Sequence, residues 1–216
     1  MAAQDIVDSG ADARITLRNE PVQARSAARL SALLDAAAAI VDEIGYERLT
    51  TAMVAERAGA SIGTVYRYFP DRIAVLQALA ARNLERVLES TTAELRNEKH
   101  ENWASAMTAS FAVLVDAFRN EPGFRGLRVG DVLDLRPATH ERPFNSIVAD
   151  GFLDALIERF GFTDSPELRF RFETVIEISD ALATRAFARV PEGDEAFLAA
   201  SREVVGRMLS EEFGRP

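Results

Sequence analysis

Two short helical patterns separated by a glycine, within residues 49–69, constrain the fold of this 216-residue chain more than any other feature. Thr50 or Thr51 can cap the first helix, because a hydroxyl accepts a hydrogen bond from an amide that has no partner in the first turn. Gly59 ends that helix, since glycine adopts the left-handed conformation of a helix end at little cost. Ser61 can cap a second helix. This spacing predicts a helix-turn-helix unit, in which two helices are joined by a short turn that contains glycine.

The second helix has an apolar side and a polar side. Val65 and Phe69 are four residues apart, so they lie on one side and are expected to pack inward. The positions left to point outward are Gly63, Thr64, Arg67 and Tyr68. Arginine can hold a guanine edge, threonine can contact a thymine methyl, and tyrosine can bond phosphate. A structural helical hairpin with a solvated face has the same pattern, so these residues alone leave both interpretations open.

The segment from residue 44 to residue 72 resembles the N-terminal domain of the TetR (tetracycline-repressor-like) family of transcription regulators. The motifs that carry the resemblance are Val54-Ala55, Ala58-Gly59-Ala60-Ser61, Gly63-Thr64-Val65-Tyr66 and Tyr68-Phe69. Two departures are mild. Ala60 stands where the family usually has valine, and Pro70, Asp71 and Arg72 stand where it usually has a polar residue, then Ser or Asn, then Lys. The resemblance extends over about residues 28 to 90.

The resemblance implies a DNA contact surface built from the second helix and the residues around it. Thr64, Tyr66 and Arg72 are expected to hold phosphates, and Gly63 to permit a close approach to DNA. Arg67, Tyr68 and Ile62 are expected to meet base edges. The full set of expected DNA-binding residues is Thr50, Thr51, Ser61, Ile62, Gly63, Thr64, Tyr66, Arg67, Tyr68 and Arg72.

The net charge of −9 is unusual for a protein that binds DNA. The acidic groups are unevenly distributed, however: residues 14–72 carry eight arginines against seven acidic side chains, whereas residues 73–216 carry 17 basic and 24 acidic groups. Salt screens charges beyond about 10 Å, so the local field decides binding rather than the total charge. The proposed DNA-binding region is therefore compatible with DNA, with modest non-specific affinity.

The sequence predicts an all-α chain of about nine helices in three parts, without strand-like alternation. Residues 1–25 lack periodicity and are expected to form a disordered arm, either a solvated tail or, through its arginines, a minor-groove contact. Residues 26–72 form the three-helix helix-turn-helix domain. Residues 73–216 form a larger helical domain, and the resemblance implies that the helix starting near Asp71 links the two parts.

The larger domain contains aromatic and aliphatic residues at helical spacing between residues 101 and 160. Such residues usually form a core, but the resemblance implies a small-molecule site among these helices, and an apolar cavity suits a hydrophobic effector. The expected ligand-binding residues are Trp103, Met107, Phe111, Phe144 and Phe152. Polar groups that could orient a ligand are Asn102, Asp131, His140 and Asn145.

No pattern in the sequence indicates catalysis, a cofactor or a metal. His100 and His140 are far apart and lack a set of ligands at metal-binding spacing, and no phosphate loop or nucleophile motif is present. There are no cysteines, no apolar run of about 18 residues and no signal pattern. We therefore expect a cytoplasmic protein that is not an enzyme and has no membrane partner.

The last two helical segments are apolar on one side, and this face either closes the core of the monomer or forms a dimer interface. The resemblance implies a homodimer through these two helices. Two recognition helices about 34–36 Å apart would fit successive major grooves of a pseudo-palindromic DNA duplex. The favoured interpretation is a ligand-released repressor. The alternatives are an activator, a regulator without an effector, an all-α enzyme and a protein-binding scaffold.

Overall fold

The computed structural model describes residues 9–129 and 144–214, with side chains from residue 24 to 128 and from 145 to 214. Its regular structure is entirely helical within these ranges, with nine α-helices and one 3-10 helix, Tyr46–Arg48. This confirms the prediction of an all-α chain. The α-helices are α1 Ser9–Ile44, α2 Thr51–Arg57, α3 Ile62–Tyr68, α4 Arg72–Arg96, α5 Trp103–Asn120, α6 Phe124–Val129, α7 Phe144–Phe160, α8 Pro166–Phe187 and α9 Glu195–Phe213.

The N-terminal arm differs from the prediction. Helix α1 begins at Ser9, so residues 9–25 are helical where we expected a disordered arm. The absence of an apolar stripe indicates that this segment has no packing surface. Such a segment can still be helical, because adding residues to an existing helix costs far less free energy than nucleating one. Residues 1–8 of the predicted arm lie outside the described residues.

Side-chain caps begin the helices of the N-terminal domain at the positions the sequence indicated. Thr50, rather than Thr51, caps α2: its Oγ1 accepts a hydrogen bond from the Met53 amide at 3.2 Å. The Asp71 carboxylate caps α4 by accepting from the Ala74 amide at 2.9 Å. These bonds satisfy amides that the helices themselves leave without partners, so the boundaries are set locally.

Helices α1 to α4 enclose the first hydrophobic core. Buried residues from each helix meet there, including Leu33, Val54, Val65 and Leu79. Tyr46 packs against the same cluster. Helix α4 is long enough to leave this core and enter a second one, so a single helix joins the two domains.

The C-terminal domain packs α4, α5 and α7 to α9 around two further clusters. The buried side of α8 carries Leu168, Phe172, Val175, Ile176, Ala183 and Phe187. These are residues that could equally have served a dimer interface, and they close the core of the monomer instead. No helix among residues 9–129 and 144–214 combines the length and apolar character needed to cross a bilayer.

Helix α6 lies between the two domains. The Gly123 amide donates a hydrogen bond to Asp42 Oδ1 on α1 at 3.0 Å. A Cβ added to Gly123 would lie 3.2 Å from the Ala38 Cα, and one added to Gly126 would lie 2.9 Å from the Val41 Cγ1. The absence of side chains at both glycines thus allows α6 to approach α1 closely.

Candidate DNA-binding surface and internal cavity

The exposed side of α3 forms a compact surface of four residues, Ile62, Gly63, Tyr66 and Arg67, which we call the α3 surface. Ile62 is 43% exposed and Tyr66 is 54% exposed, although both are large side chains with apolar bodies. Val65 is fully buried on the opposite side. Ile62 therefore lies on the exposed side of α3, away from Val65. Ile62 and Tyr66 are four residues apart in α3, so their apolar bodies lie side by side on this exposed face.

Gly63 has no role in the protein's own packing. A Cβ at this position would meet only the Ser61 Oγ, at 3.9 Å, which is ordinary van der Waals contact. Its φ is not among the positive values that favour glycine. Gly63 is the second residue of α3, and both its conformation and its surroundings within the fold would accommodate alanine.

Hydrogen bonds to neighbours orient several of the expected DNA-binding residues. The Ser61 Oγ accepts from the Thr64 amide at 3.1 Å and lies 2.9 Å from the Thr64 Oγ1. The Thr51 Oγ1 donates to the Tyr66 hydroxyl at 3.4 Å. Ser61 therefore caps α3 as predicted, and Thr51 links α2 to the α3 surface.

Tyr68 and Arg72 are engaged by the protein itself. Tyr68 was expected to point outward, but it is half-buried against the first core, and its hydroxyl lies 3.1 Å from the Ser26 Oγ on α1. Arg72 is exposed, and its guanidinium donates to the Glu47 carbonyl at 3.0 Å. A guanidinium has five donors, so Arg72 keeps donors for a phosphate. Tyr68 instead ties α3 to α1.

An ion pair that the sequence did not single out holds α2 against α1. The Arg57 guanidinium donates to both carboxylate oxygens of Glu43, one of them at 2.7 Å. This bidentate bond lowers the pKa of the Glu43 carboxyl and raises that of Arg57. The two residues are 14 positions apart, so helical spacing alone gives no signal for the pair.

The C-terminal domain contains a cavity of about 150 Å³ between α4 and the helices α5 to α9. A single water needs roughly 10–15 Å³, so the cavity can hold an organic molecule. Four of the five residues expected to bind a ligand line it, namely Trp103, Met107, Phe111 and Phe152. The side chain of the fifth, Phe144, lies outside the described residues, as do Asp131 and His140.

The remaining polar candidates have different roles. Asn102 caps α5, since its Oδ1 accepts from the Ser105 amide at 2.9 Å. Asn145 lines the cavity, and its amide donates to Glu177 at 2.9 Å and to Asp180 at 3.2 Å.

The charged groups at the cavity wall are paired. Arg128 on α6 forms an ion pair with Asp180 on α8, and Arg202 on α9 forms one with Glu195. Arg128 and Asp180 are 52 positions apart in the sequence, so helical spacing could not indicate that they form a pair. The cavity therefore presents an apolar wall with a neutralised charge cluster near its α6 side.

Within residues 9–129 and 144–214, no group of three or more His, Cys, Asp or Glu side chains could hold a metal ion. His100, one of the two histidines, is buried, and its Nε2 lies 2.9 Å from the Glu94 Oε1. Lys99 and then His100, through their hydrogen bonds, lower the pKa of Glu94. This cluster closes the end of α4 and is a structural feature of the domain.

Family models match both halves of the chain. Residues 33–79 match the model described as "Bacterial regulatory proteins, tetR family". Residues 101–213, more than half of the chain, match the model described as "Tetracyclin repressor-like, C-terminal domain". The two matches fall on the two domains seen in the structure.

Solved structures show the same architecture. A TetR-family transcriptional regulator from Streptomyces coelicolor is 33% identical, with a TM-score of 0.70 over 86% of this chain and 98% of that one. The TetR-family repressor FadR of Thermus thermophilus, solved in complex with lauroyl-CoA, is 22% identical with a TM-score of 0.57, over 87% of this chain and 95% of that one. At that identity the second likeness shows the fold alone.

Among curated relatives, the transcriptional repressor KstR of Rhodococcus jostii is 42% identical over 59 residues, which cover 27% of this chain and 28% of the repressor. The nucleoid occlusion factor SlmA of Haemophilus influenzae is 32% identical over 96 residues, 44% of this chain and 43% of that protein. Both are matched over less than half of their own length. The family models and the Streptomyces structure together show that this chain belongs to the TetR family of bacterial transcriptional regulators, which are not enzymes.

Proposed function

We propose that this chain is a cytoplasmic, homodimeric repressor that binds a pseudo-palindromic DNA operator and releases it when a small hydrophobic molecule enters the C-terminal cavity. The observation that carries the proposal is the α3 surface, where an arginine and two exposed apolar-bodied side chains surround Gly63. A glycine that the fold does not require is explained if a DNA backbone lies against it, because only hydrogen then fits at that position.

The chemistry of the α3 surface suits a major groove. Arg67 is exposed in the last turn of α3 and can donate two bonds to a guanine edge. Tyr66 offers a hydroxyl for a phosphate, and Ile62 offers an apolar contact to a thymine methyl. Thr50, Thr51, Ser61 and Thr64 would add hydroxyl contacts to the backbone around this centre.

The outer face of the α8–α9 pair supports pairing with a second copy. Phe170 on α8 is 72% exposed, and a shallow groove on the same side is lined by Thr174 and Met208. On α9, Val204 and Met208 are one turn apart and partly exposed. A twofold dimer through this face would bury these apolar groups and present two α3 surfaces to one side of a duplex.

Helix α6 offers a route from the cavity to the DNA-binding domain. Phe124 and Arg128 line the cavity, whereas Gly123 and Gly126 contact α1. The cavity and α1 are thus separated by the thickness of one helix. A molecule that favours a different position of α6 would change the tilt of the DNA-binding domain. It would weaken operator binding to the extent that it binds this conformation more tightly than the DNA-bound one.

The test is selection of duplexes from a random library by the full chain, followed by gel shifts on the selected sequence over a range of salt concentrations. Affinity is expected to fall steeply with salt, since phosphate contacts release counterions. Gly63→Ala should weaken binding while leaving the fold at least as stable, and Arg67→Ala should relax base preference. Arg189→Ala, an exposed arginine of the C-terminal domain, is the matched control.

The rival interpretations predict different results. A protein-binding scaffold would enrich no duplex in the selection, and this outcome would overturn the proposal. An activator would bind the same operator but raise transcription from an adjacent reporter promoter. An effector-independent regulator would bind DNA with an affinity that no cavity ligand changes.

A further inference from the structure

We infer that the effector is an elongated, uncharged molecule whose hydrogen-bond acceptor receives the indole N–H of Trp103. The inference rests on the proposed function, because it names the class of ligand that the same cavity takes. Its basis is the one cavity-lining side chain, among the described residues, whose buried polar atom has no protein partner.

Trp103 carries an open donor. Its side chain lines the cavity at the start of α5 and is only 6% exposed, yet the Nε1 atom has no acceptor among the described residues. The indole N–H can only donate, so an oxygen acceptor is the group that satisfies it. Leaving such a group unpaired in an apolar environment is costly, and a ligand oxygen placed there removes that cost.

The charges around the cavity argue against an ionic ligand. Arg128 is neutralised by Asp180, and Arg202 is neutralised by Glu195. The amide of Asn145 is likewise occupied, by Asp180 and Glu177. A carboxylate entering the cavity would lose its hydration and would compete with Asp180 and Glu195 for the two arginines, and an amine would have to displace Arg128 from Asp180. A neutral molecule neither loses the hydration of an ion nor disrupts the existing ion pairs.

The shape of the wall indicates an extended ligand. Along α5 the lining residues Trp103, Met107, Phe111 and Leu114 recur every three or four positions, so they form one stripe. At 1.5 Å per residue this stripe is about 16 Å long. Aliphatic side chains of α4 and α9 face it across the cavity, including Val87 and Val205. The site is therefore a largely apolar slot with the Trp103 indole at one end. Because the Nε1 atom is buried, a ligand acceptor would reach it once the ring shifts toward the cavity.

The experiment uses the full-length protein and straight-chain probes of six to fourteen carbons: methyl ketones, carboxylates, primary amines and alkanes. Trp103 is the only tryptophan in the chain, so its emission reports occupancy of the slot directly. Calorimetric titration gives dissociation constants for variants without that signal. A ketone is expected to shift the emission and to bind at least tenfold more tightly than the carboxylate or amine of equal length.

Two variants separate the hydrogen bond from the packing. Trp103→Phe removes the N–H and keeps an aromatic ring. It should weaken ketone binding about 3- to 10-fold more than it weakens alkane binding, which is the range for one net hydrogen bond. Phe111→Leu changes the wall without touching the donor, and it should weaken ketone and alkane alike.

The inference is overturned if the carboxylate or amine binds as tightly as the ketone, if Trp103→Phe leaves the ketone-to-alkane ratio unchanged, or if no probe binds. None of these results bears on DNA binding, which the gel shift measures without any ligand. Conversely, ketone binding through Trp103 in a protein that binds no DNA would sustain the ligand assignment and refute the proposed repressor.

Discussion

Gly126 of α6 packs directly against Val41 of α1, so closely that a methyl group on the glycine would lie 2.9 Å from the Val41 Cγ1. This contact joins the helix that borders the cavity to the helix that supports the DNA-binding surface. Packed interfaces of this kind transmit small displacements, because they are rigid and resist compression.

Replacing Gly126 by alanine should therefore strain the junction between the domains. Gly151 of α7 is the matched control, since a Cβ there meets nothing within 4 Å. Both substitutions gain helix propensity, but only Gly126→Ala overpacks, so it should be less stable than Gly151→Ala by about 1–3 kcal/mol. Urea denaturation of the two variants at one protein concentration measures the difference. Equal stability would show that α6 moves freely away from α1.

A glutamate at Val204 should break the dimer. The substitution places a charge on the outer face of α9, where the proposed interface would have to bury it without a partner. Analytical ultracentrifugation is expected to show a dimer for the unmodified chain and a monomer for Val204→Glu. Ala199→Glu adds the same group at an exposed position roughly 140° around the helix, and it should leave the dimer intact. Dissociation by both variants, or by neither, would place the interface elsewhere.

Thr50 and Thr51 are neighbours with different roles, and alanine substitution should distinguish them. The Thr50 hydroxyl accepts from the Met53 amide and caps α2, so Thr50→Ala should lower the free energy of unfolding by about 1 kcal/mol. Thr51 is the first helical residue and makes only a long bond to the Tyr66 hydroxyl, so Thr51→Ala should change stability little. Thermal denaturation compares them, and a larger loss for Thr51→Ala would contradict the assignment of the cap.

The Glu43–Arg57 pair predicts a local response to acid. Arg57 lowers the pKa of the Glu43 carboxyl below its ordinary value of 4.5, chiefly through the hydrogen bond. Because the pKa of Glu43 is lower in the folded state, the pair stabilises the fold at pH values above the ordinary pKa. This stabilisation is lost as the pH falls through the folded-state pKa. Carboxyl NMR should give a midpoint below 4.5 for Glu43. Arg57→Ala should raise this midpoint, and an unchanged midpoint would show that the pair does not persist in solution.

The sequence by itself determined the elements whose causes are local. The caps at Thr50, Ser61 and Asp71 and the stop at Gly59 were readable because each depends on residues within one turn. The all-α class followed from periodicity in the same way. Three cavity-wall residues on α5 and Phe152 on α7 were also among those predicted, since an apolar stripe on a helix must face either a core or a cavity.

Tertiary structure decided which way several of those residues face and what they bond. Tyr68, which the helical pattern left on the outward side, is held by Ser26, 42 positions away. The apolar side of α8 closes the core of the monomer and leaves Phe170 exposed on the other side of the helix. These outcomes depend on helices distant in sequence that pack against each position, and local patterns carry no information about which distant helix will be the neighbour.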